Sequence, residues 1–545
     1  MGHAVAAGHP LAVDEADRAL RSGANAVEAA LVAAFVQGVV DPAKCGIGGW
    51  GVATIRATDG SLTVVDFPAR AGSLARPGMW RDLVVAPAYH GYLPVLRGNL
   101  NDVGYTSIGV PSAVAGFAEL HRHFGARLAW ADLVAPAIRY AHDGVPVYAG
   151  VLGAGPPEWD WPGGVGFADR LRTTQHGARQ YLRGGRLFQV GERLRQPELA
   201  RTLETLASDG PDAFYRGSIA DRMAVDFAAH GGFVTADDLA ACRPAVAAPL
   251  SGTFGPWTVH APPPPESGIS LLQILAILDG ALDPDLGPLG GTNAATLAAA
   301  LDVAADQRAR YLSDPAFVPV PVAAMLAEAA AMRHRLRPES RAGIAADGAA
   351  SPGADSAPGD TPGETTSVVV ADGEGLVIAM NHSLVSHGGS GVVTDGLGFL
   401  YNNTMAGFDV EPGGHNSIEP GRARWSAACP TIVTSDVDSA PLRLAMTGPG
   451  GSRAIGAVAQ GVLDVLAFGL DPLHAVSLPR IDAHDGMVDL ESAVPSAVEA
   501  GLRDAGMEVH RTFESGFAAL YAVARTGGKW QAAADPRRPG AAITA

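Results

Sequence analysis

Apolar residues recur at helical spacing in "PLAVDEADRALRSG" (10–23), which a glycine stops, and in "NAVEAALVAAFVQGVV" (25–40), which starts at an Asn cap. The pattern then changes period: "GIGGWGVATIRATDGSLTVVDF" (46–67) predicts two strands around a "TDGS" turn. Residues 112–145 and 196–245 are mainly helical in pattern, with a capped start at "TADDLAAC". "PPPP" (262–265) breaks the chain ahead of a helix at "SLLQILAIL", and a longer helix covers about 293–312.

From Leu336 to Glu364 the chain has almost no large apolar residue, so it cannot offset its ordering entropy and is expected to be a mobile surface segment. Directly after it come "TTSVVVAD", "GLVIAMNHS", "CPTIVTS" and "LRLAMTGPG", all strand-like, then the helix "GSRAIGAVAQGVLDVLAFG". No repeat of fixed period is present. The pattern is that of an α/β chain with a strand-rich C-terminal third.

Composition narrows the function classes. At 545 residues and 47% hydrophobic, the chain can bury a large core. Its longest apolar run, "LVAAFVQGVV" (31–40), falls short of the roughly 18 residues a membrane span needs, so no membrane partner is expected. A formal charge of −17 argues against nucleic acid and other polyphosphates. Cys45, Cys242 and Cys429 are far apart, show no metal spacing and cannot all pair. With no basic segment leading into an apolar one at the N-terminus, a cytoplasmic protein is the expectation.

The chemistry centres on the junction "GETTS". A threonine that begins a strand is ordinarily a β-former. Thr365, however, follows a segment open to cleavage and precedes the Gly-rich turn "TGPGGSR" (447–453). Breaking the Glu364–Thr365 bond would place an α-amine of pKa near 8 beside the Thr365 hydroxyl, where it can act as general base. Backbone N–H groups of Gly450 and Gly451 could bind the developing oxyanion. His382 and His387 flank the same strand without Asp, Glu or Cys at ligand spacing, so neither a metal nor any cofactor is expected.

Ten motifs occur in the order found in the gamma-glutamyltransferase family. They are "GIGGWG", "VPSAVAGF", "GPDAFYRGSIA", "GGFVTADDLA", "PPPPESG", "DQRARYLSDPAF", "ETTSVVVADGEG", "LYNNTMAGF", "CPTIV" and "TGPGGSR". The chain resembles that family from about His3 to Pro536. The resemblance implies an N-terminal-nucleophile hydrolase of αββα sandwich fold that cuts itself before the first Thr of the "TT" pair. It implies two associated fragments, 1–364 and 365–545, intertwined as one domain. Thr365 is then the nucleophile, Thr366 supports it or the strand, and Ser383 holds the supporting hydroxyl position.

The expected substrate pocket departs from the family pattern. "DFPARAG" puts Pro68 at the position of the carboxylate-binding Arg, with Arg70 two residues on as the replacement. Val385 stands for the amine-binding Asn, and Ala406 and Gly407 for the acids after "NN-x-M", beside Asn403. "WSAACPTIV" keeps Ser426 but has Ala427 for the second Ser. Arg422 and Arg424 are further candidates for a bidentate carboxylate contact. A buried ammonium without its acid loses about a hundredfold in affinity or more. An autoprocessed Thr hydrolase or acyltransferase is therefore expected, acting on a small carboxylate-bearing acyl group other than ordinary γ-glutamyl. Relatives with altered pockets serve specialised metabolism, including C–C bond cleavage in alkylproline formation. The alternatives are a true γ-glutamyltransferase with a rearranged pocket, and an uncut binding protein without catalysis.

Overall fold

Val368 and Val370 point one way from their strand and Val369 and Ala371 the other, yet all four are buried. A strand buried on both faces needs a layer on each side, and the computed structural model supplies both. It describes residues 2–86, 94–125, 127–152, 165–336, 364–435, 442–512 and 517–545. The expected mobile segment after Leu336 lies, over 337–363, outside the described residues.

Two antiparallel sheets stack face to face. The seven-stranded sheet runs, in spatial order, Ala541–Thr544, Ala4–Ala7, Glu364–Ala371, Val377–Val385, Trp50–Arg56, Leu62–Phe67 and Ala245–Ala247. The six-stranded sheet runs Lys529–Ala534, Tyr521–Thr526, Leu442–Thr447, Thr431–Ser435, Trp257–Ala261 and Leu250–Phe254. Ala4, Ala6, Val369, Ala371, Val377 and Ala379 meet Ile432, Ala445, Tyr521 and Val523 between the sheets. The opposite faces bury against helices: Pro10–Arg21, Ala26–Val40 and Ala113–Phe124 on the first sheet, Gly268–Leu278 and Arg453–Leu466 on the second, with Trp130–Asp143 and Asn293–Tyr311 packed behind them. The result is the expected αββα sandwich. Both sheets draw strands from before residue 336 and after residue 364.

Local signals hold where a cap or a period carried them. The helix Ala26–Val40 starts in a reciprocal Asn25–Glu28 capping box, with Oδ1 of Asn25 accepting from the Glu28 amide at 2.9 Å. Short strands escaped the pattern. "AVAA" (4–7) is too brief to signal a strand, and it becomes one by lying between Glu364–Ala371 and Ala541–Thr544. The C-terminal strands, and a small sheet of Ile481–His484, Met487–Glu491 and Glu508–Thr512, were likewise not anticipated. Among the described residues no helix is long and apolar enough to cross a membrane.

Candidate active site

Thr365 and Ser383 stand opposite each other on the two central strands, and Thr365 Oγ1 donates a hydrogen bond to Ser383 Oγ at 3.0 Å. The same Ser383 oxygen accepts the backbone N–H of Val385 at 2.9 Å. The ladder is regular from Thr365 to Ala371, but its register shifts between Glu364 and Thr365, so Glu364 faces Val385 instead of Leu384. A bulge of this kind lets a strand re-aim one residue, and bulges concentrate beside active sites. Val385 accommodates it with φ +84°, a left-handed conformation unfavourable for a β-branched residue.

Thr365 opens onto a pocket that reaches solvent. Trp50, Asn381, Ser383 and Val385 line it from the first sheet, Arg424, Ser426, Ala427 and Ala428 from the loop before Thr431, and Gly448, Gly450, Gly451 and Ala454 from the turn into the helix Arg453–Leu466. Gly451 sits at φ +57°, and its carbonyl accepts from the Ala454 amide at 3.1 Å. Gly450 is packed so closely that a Cβ there would lie 2.3 Å from that of Ala518. This glycine turn leads into the N-terminus of the helix Arg453–Leu466, so the positive helix end faces the pocket that holds Thr365. That combination suits acyl transfer through an oxyanion.

Thr366 faces away from the pocket. Its Oγ1 accepts from Gln37 Nε2 at 2.9 Å, and Gln37 Oε1 meets His382 Nε2 at 2.8 Å. One glutamine of the buried helix thus ties the two central strands to the helical layer. Burial pushes the His382 imidazole down to about 3, so it stays neutral. His382 belongs to this clasp, and His387 packs on Phe167 with ring centroids 4.2 Å apart; neither lines the pocket. Among the described residues no three His, Cys, Asp or Glu side chains converge as metal ligands.

The expected carboxylate-binding residues are redistributed. Arg70 is engaged elsewhere, with Nη1 2.8 Å from Asp314 Oδ2 and 3.1 Å from the Gly421 carbonyl. Arg422 donates to the carbonyls of Ser417 and His415 and to Ser313. Asn403 does not reach the pocket either: its amide donates to Asp102 Oδ1 at 2.7 Å and Ser386 Oγ at 2.9 Å, and Asp102 is in turn paired with Arg170 at 2.6 Å. These three side chains organise loops. Ser426, Ala427 and Val385 do line the pocket, whereas Gly407 lies behind it against Arg424.

The sandwich, the Thr365–Ser383 pair and the glycine turn now sit together, and a sequence profile of the gamma-glutamyltranspeptidase family matches residues 12–545. The chain belongs to that family. Within it the chain is 32% identical to the Acylase ACY 1 proenzyme of Pseudomonas sp. (strain V22) over 515 residues, 93% of this chain and 87% of that one. It is also 32% identical to the Glutathione hydrolase proenzyme of Pseudomonas sp. (strain A14), over 85% of this chain and 78% of that one. The crystal structure of cephalosporin acylase from Bacillus halodurans superposes with a TM-score of 0.84 at 25% identity, covering 99% of this chain and 95% of that one. Family and fold make this protein an N-terminal-nucleophile hydrolase or acyltransferase.

Three residues of this gamma-glutamyltranspeptidase-family site escaped sequence reasoning. Trp50 and Asn381 line the pocket, and their signals, "GIGGWG" and "NHS", were read only as motif and strand. Glu266, in "PPPPESG", is fully buried next to Ser426 through a backbone bridge. Burial, then the neighbouring Asp66 charge, holds its carboxyl well above the usual carboxylate range, with Arg424 acting the other way. Asp66 is itself pushed up to about 7 by burial, against the pull of Arg70. A pair of buried carboxyls near one another cannot both ionise readily.

Proposed function

We propose that the chain cuts itself at Glu364–Thr365 and that the new N-terminal Thr365 is the nucleophile of an acyl-transfer enzyme. In maturation Thr365 Oγ attacks the Glu364 carbonyl carbon, the peptide C–N bond breaks as the Oγ proton passes to the Thr365 nitrogen, and water hydrolyses the resulting ester to the Glu364 carboxylate and the free Thr365 hydroxyl. In turnover the α-amine takes the Thr365 hydroxyl proton as Oγ attacks the substrate's acyl carbon. Gly450 and Gly451 stabilise the oxyanion, the leaving group departs with the proton, and water or an acceptor amine releases the acyl group from Oγ. Ser383 orients the attacking hydroxyl. The fragments 1–364 and 365–545 remain a heterodimer, supported by the mixing of their strands in both sheets.

The acyl substrate is small, bears a carboxylate and is not an ordinary γ-glutamyl group. One observation carries this reading: the wall of the Thr365 pocket presents Val385, Ala427 and Arg424, and no carboxylate side chain among its lining residues. Relatives at the same 32% identity are named both as an acylase and as a glutathione hydrolase, so the pocket and not the names supports this choice. The proposed role is cytoplasmic, in specialised-metabolite biosynthesis, with an amide or a C–C bond as the one cleaved. The test has two parts. Mass spectrometry and N-terminal sequencing should find two fragments with a Thr365 terminus, and Thr365→Ala should stay one chain; an active protein without that terminus ends the proposal. Purified mature enzyme should then turn over γ-glutamyl-p-nitroanilide poorly. A kcat/KM above about 10⁴ M⁻¹s⁻¹ would instead make it a γ-glutamyltransferase with a rearranged pocket.

A further inference from the structure

Gly407 and Arg424 share one small volume. A Cβ at Gly407 would lie 2.3 Å from Cδ and 2.8 Å from Nε of Arg424, so the arginine stem occupies the place where any side chain at 407 would begin. The head is held on three sides. Nε donates to Thr404 Oγ1 at 3.3 Å, Nη1 donates to the Trp425 carbonyl at 2.7 Å, and the guanidinium carbon stands 5.2 Å from the centre of the Trp50 ring. Both Arg424 and Trp50 line the pocket that holds Thr365, and Arg424 is the one charged side chain among the described lining residues.

Resting on the reading that Thr365 is the nucleophile, we infer that Arg424, threaded past Gly407 and laid on Trp50, binds an anionic group at the far end of the acyl chain. The site thereby inverts the charge expected of an acid at position 407. A substrate ammonium placed there meets a cation, and a carboxylate meets a planar donor fork in a partly desolvated pocket. Glu266 is fully buried near Arg424, and burial, then the Asp66 charge, holds its carboxyl well above the usual carboxylate range, which weakens its competition for the arginine. Trp50 offers its face to the apolar stem of the acyl group as well as to the guanidinium. The chemical class that fits is an acyl group ending in a carboxylate and lacking an amine beside it.

Binding of three probes to the mature heterodimer, followed by titration calorimetry, tests this. Glutarate carries carboxylates at both ends, butyrate at one end only, and 5-aminopentanoate replaces the second carboxylate with an ammonium. Glutarate should bind at least tenfold more tightly than butyrate, and 5-aminopentanoate no more tightly than butyrate. Arg424→Gln should erase the glutarate advantage, and Arg424→Lys should keep part of it. Gly407→Ala should also erase it, because the new methyl displaces the arginine. Glutarate no better than butyrate on the wild-type protein, absence of binding included, overturns the inference, as does an advantage that survives in Arg424→Gln. Fragment analysis of the same preparations separates the two proposals. A wild-type chain that stays uncut fails the nucleophile reading, whereas a cut chain indifferent to the second carboxylate fails only the role of Arg424.

Discussion

Thr365 Oγ1 and Ser383 Oγ lie 3.0 Å apart on neighbouring strands, one peptide bond from the point where the ladder between those strands loses its register. In the proposed mechanism the attacking hydroxyl is therefore held by a regular ladder, while the bond it would break belongs to the irregular step. Ser383→Ala should slow both fragment formation and turnover by about 10²-fold, the scale of a misplaced reacting group. Ser383→Thr should restore most of both. The time course of the 365–545 fragment on a denaturing gel reads the first effect, and a stopped assay on matured protein reads the second. Unchanged rates in Ser383→Ala would leave that serine a purely structural residue.

Gly451 joins the turn to the helix Arg453–Leu466 at φ +57°. Gly451→Val should cost about 1–2 kcal/mol in stability from the left-handed conformation. It should lower turnover by about 10²-fold or more by moving the backbone N–H donor out of place. Thermal denaturation and kcat on fully matured enzyme separate the two effects. A drop in stability with full activity would move the oxyanion donors elsewhere.

Val385 and Val52 share one small apolar cluster, but only Val385 is held at a positive φ. Asn is more at ease than Val in that conformation, so relief of strain offsets the loss of buried apolar surface. Val385→Asn should change unfolding free energy by less than about 1 kcal/mol, whereas Val52→Asn, in ordinary strand geometry, should lower it by about 2 kcal/mol or more. Denaturant titrations of the two variants decide, and equal losses would mean that Val385 carries no strain.

Restoring a γ-glutamyl pocket takes three changes. Val385→Asn with Gly407→Asp alone should give little, because the new Asp side chain collides and pairs with Arg424. Adding Arg424→Ala should raise kcat/KM for γ-glutamyl-p-nitroanilide at least tenfold over the double variant. A double variant as active as the triple would show that Arg424 does not obstruct position 407.

Asp464, buried in the helix Arg453–Leu466, has its carboxyl pushed up to about 8 by burial, with Arg480 pulling the other way. The folded state then holds a proton that the unfolded chain releases near 4, so this group's contribution falls as pH rises from about 4 to about 8. Asp464→Asn should leave stability at pH 4 nearly unchanged and raise it at pH 8 by on the order of a few kcal/mol. Melting temperatures across that range check the sign. A variant that follows the wild-type pH curve would mean that Asp464 ionises normally.

The sequence by itself carried the element types and, through the order of its motifs, the αββα expectation and the candidate nucleophile Thr365. The β-branched run over Thr365–Ala371, the Asn25 cap and the order of Gly-rich motifs are local patterns, and local patterns report where a strand or helix begins. They also placed Val385, Gly407 and Ala427 where family members carry polar partners, leaving open which group replaces them. Tertiary structure alone decided that. Sequence favoured Arg70 over Arg422 and Arg424, but Asp314 takes the first, backbone carbonyls take the second, and only the third reaches the Thr365 pocket. Thr366 and Asn403 left the site for the same reason: their polar atoms are satisfied by Gln37 and Asp102, partners over 300 residues away along the chain. A strand's period says which side a residue faces, whereas the partner waiting there depends on which distant segments the fold brings together.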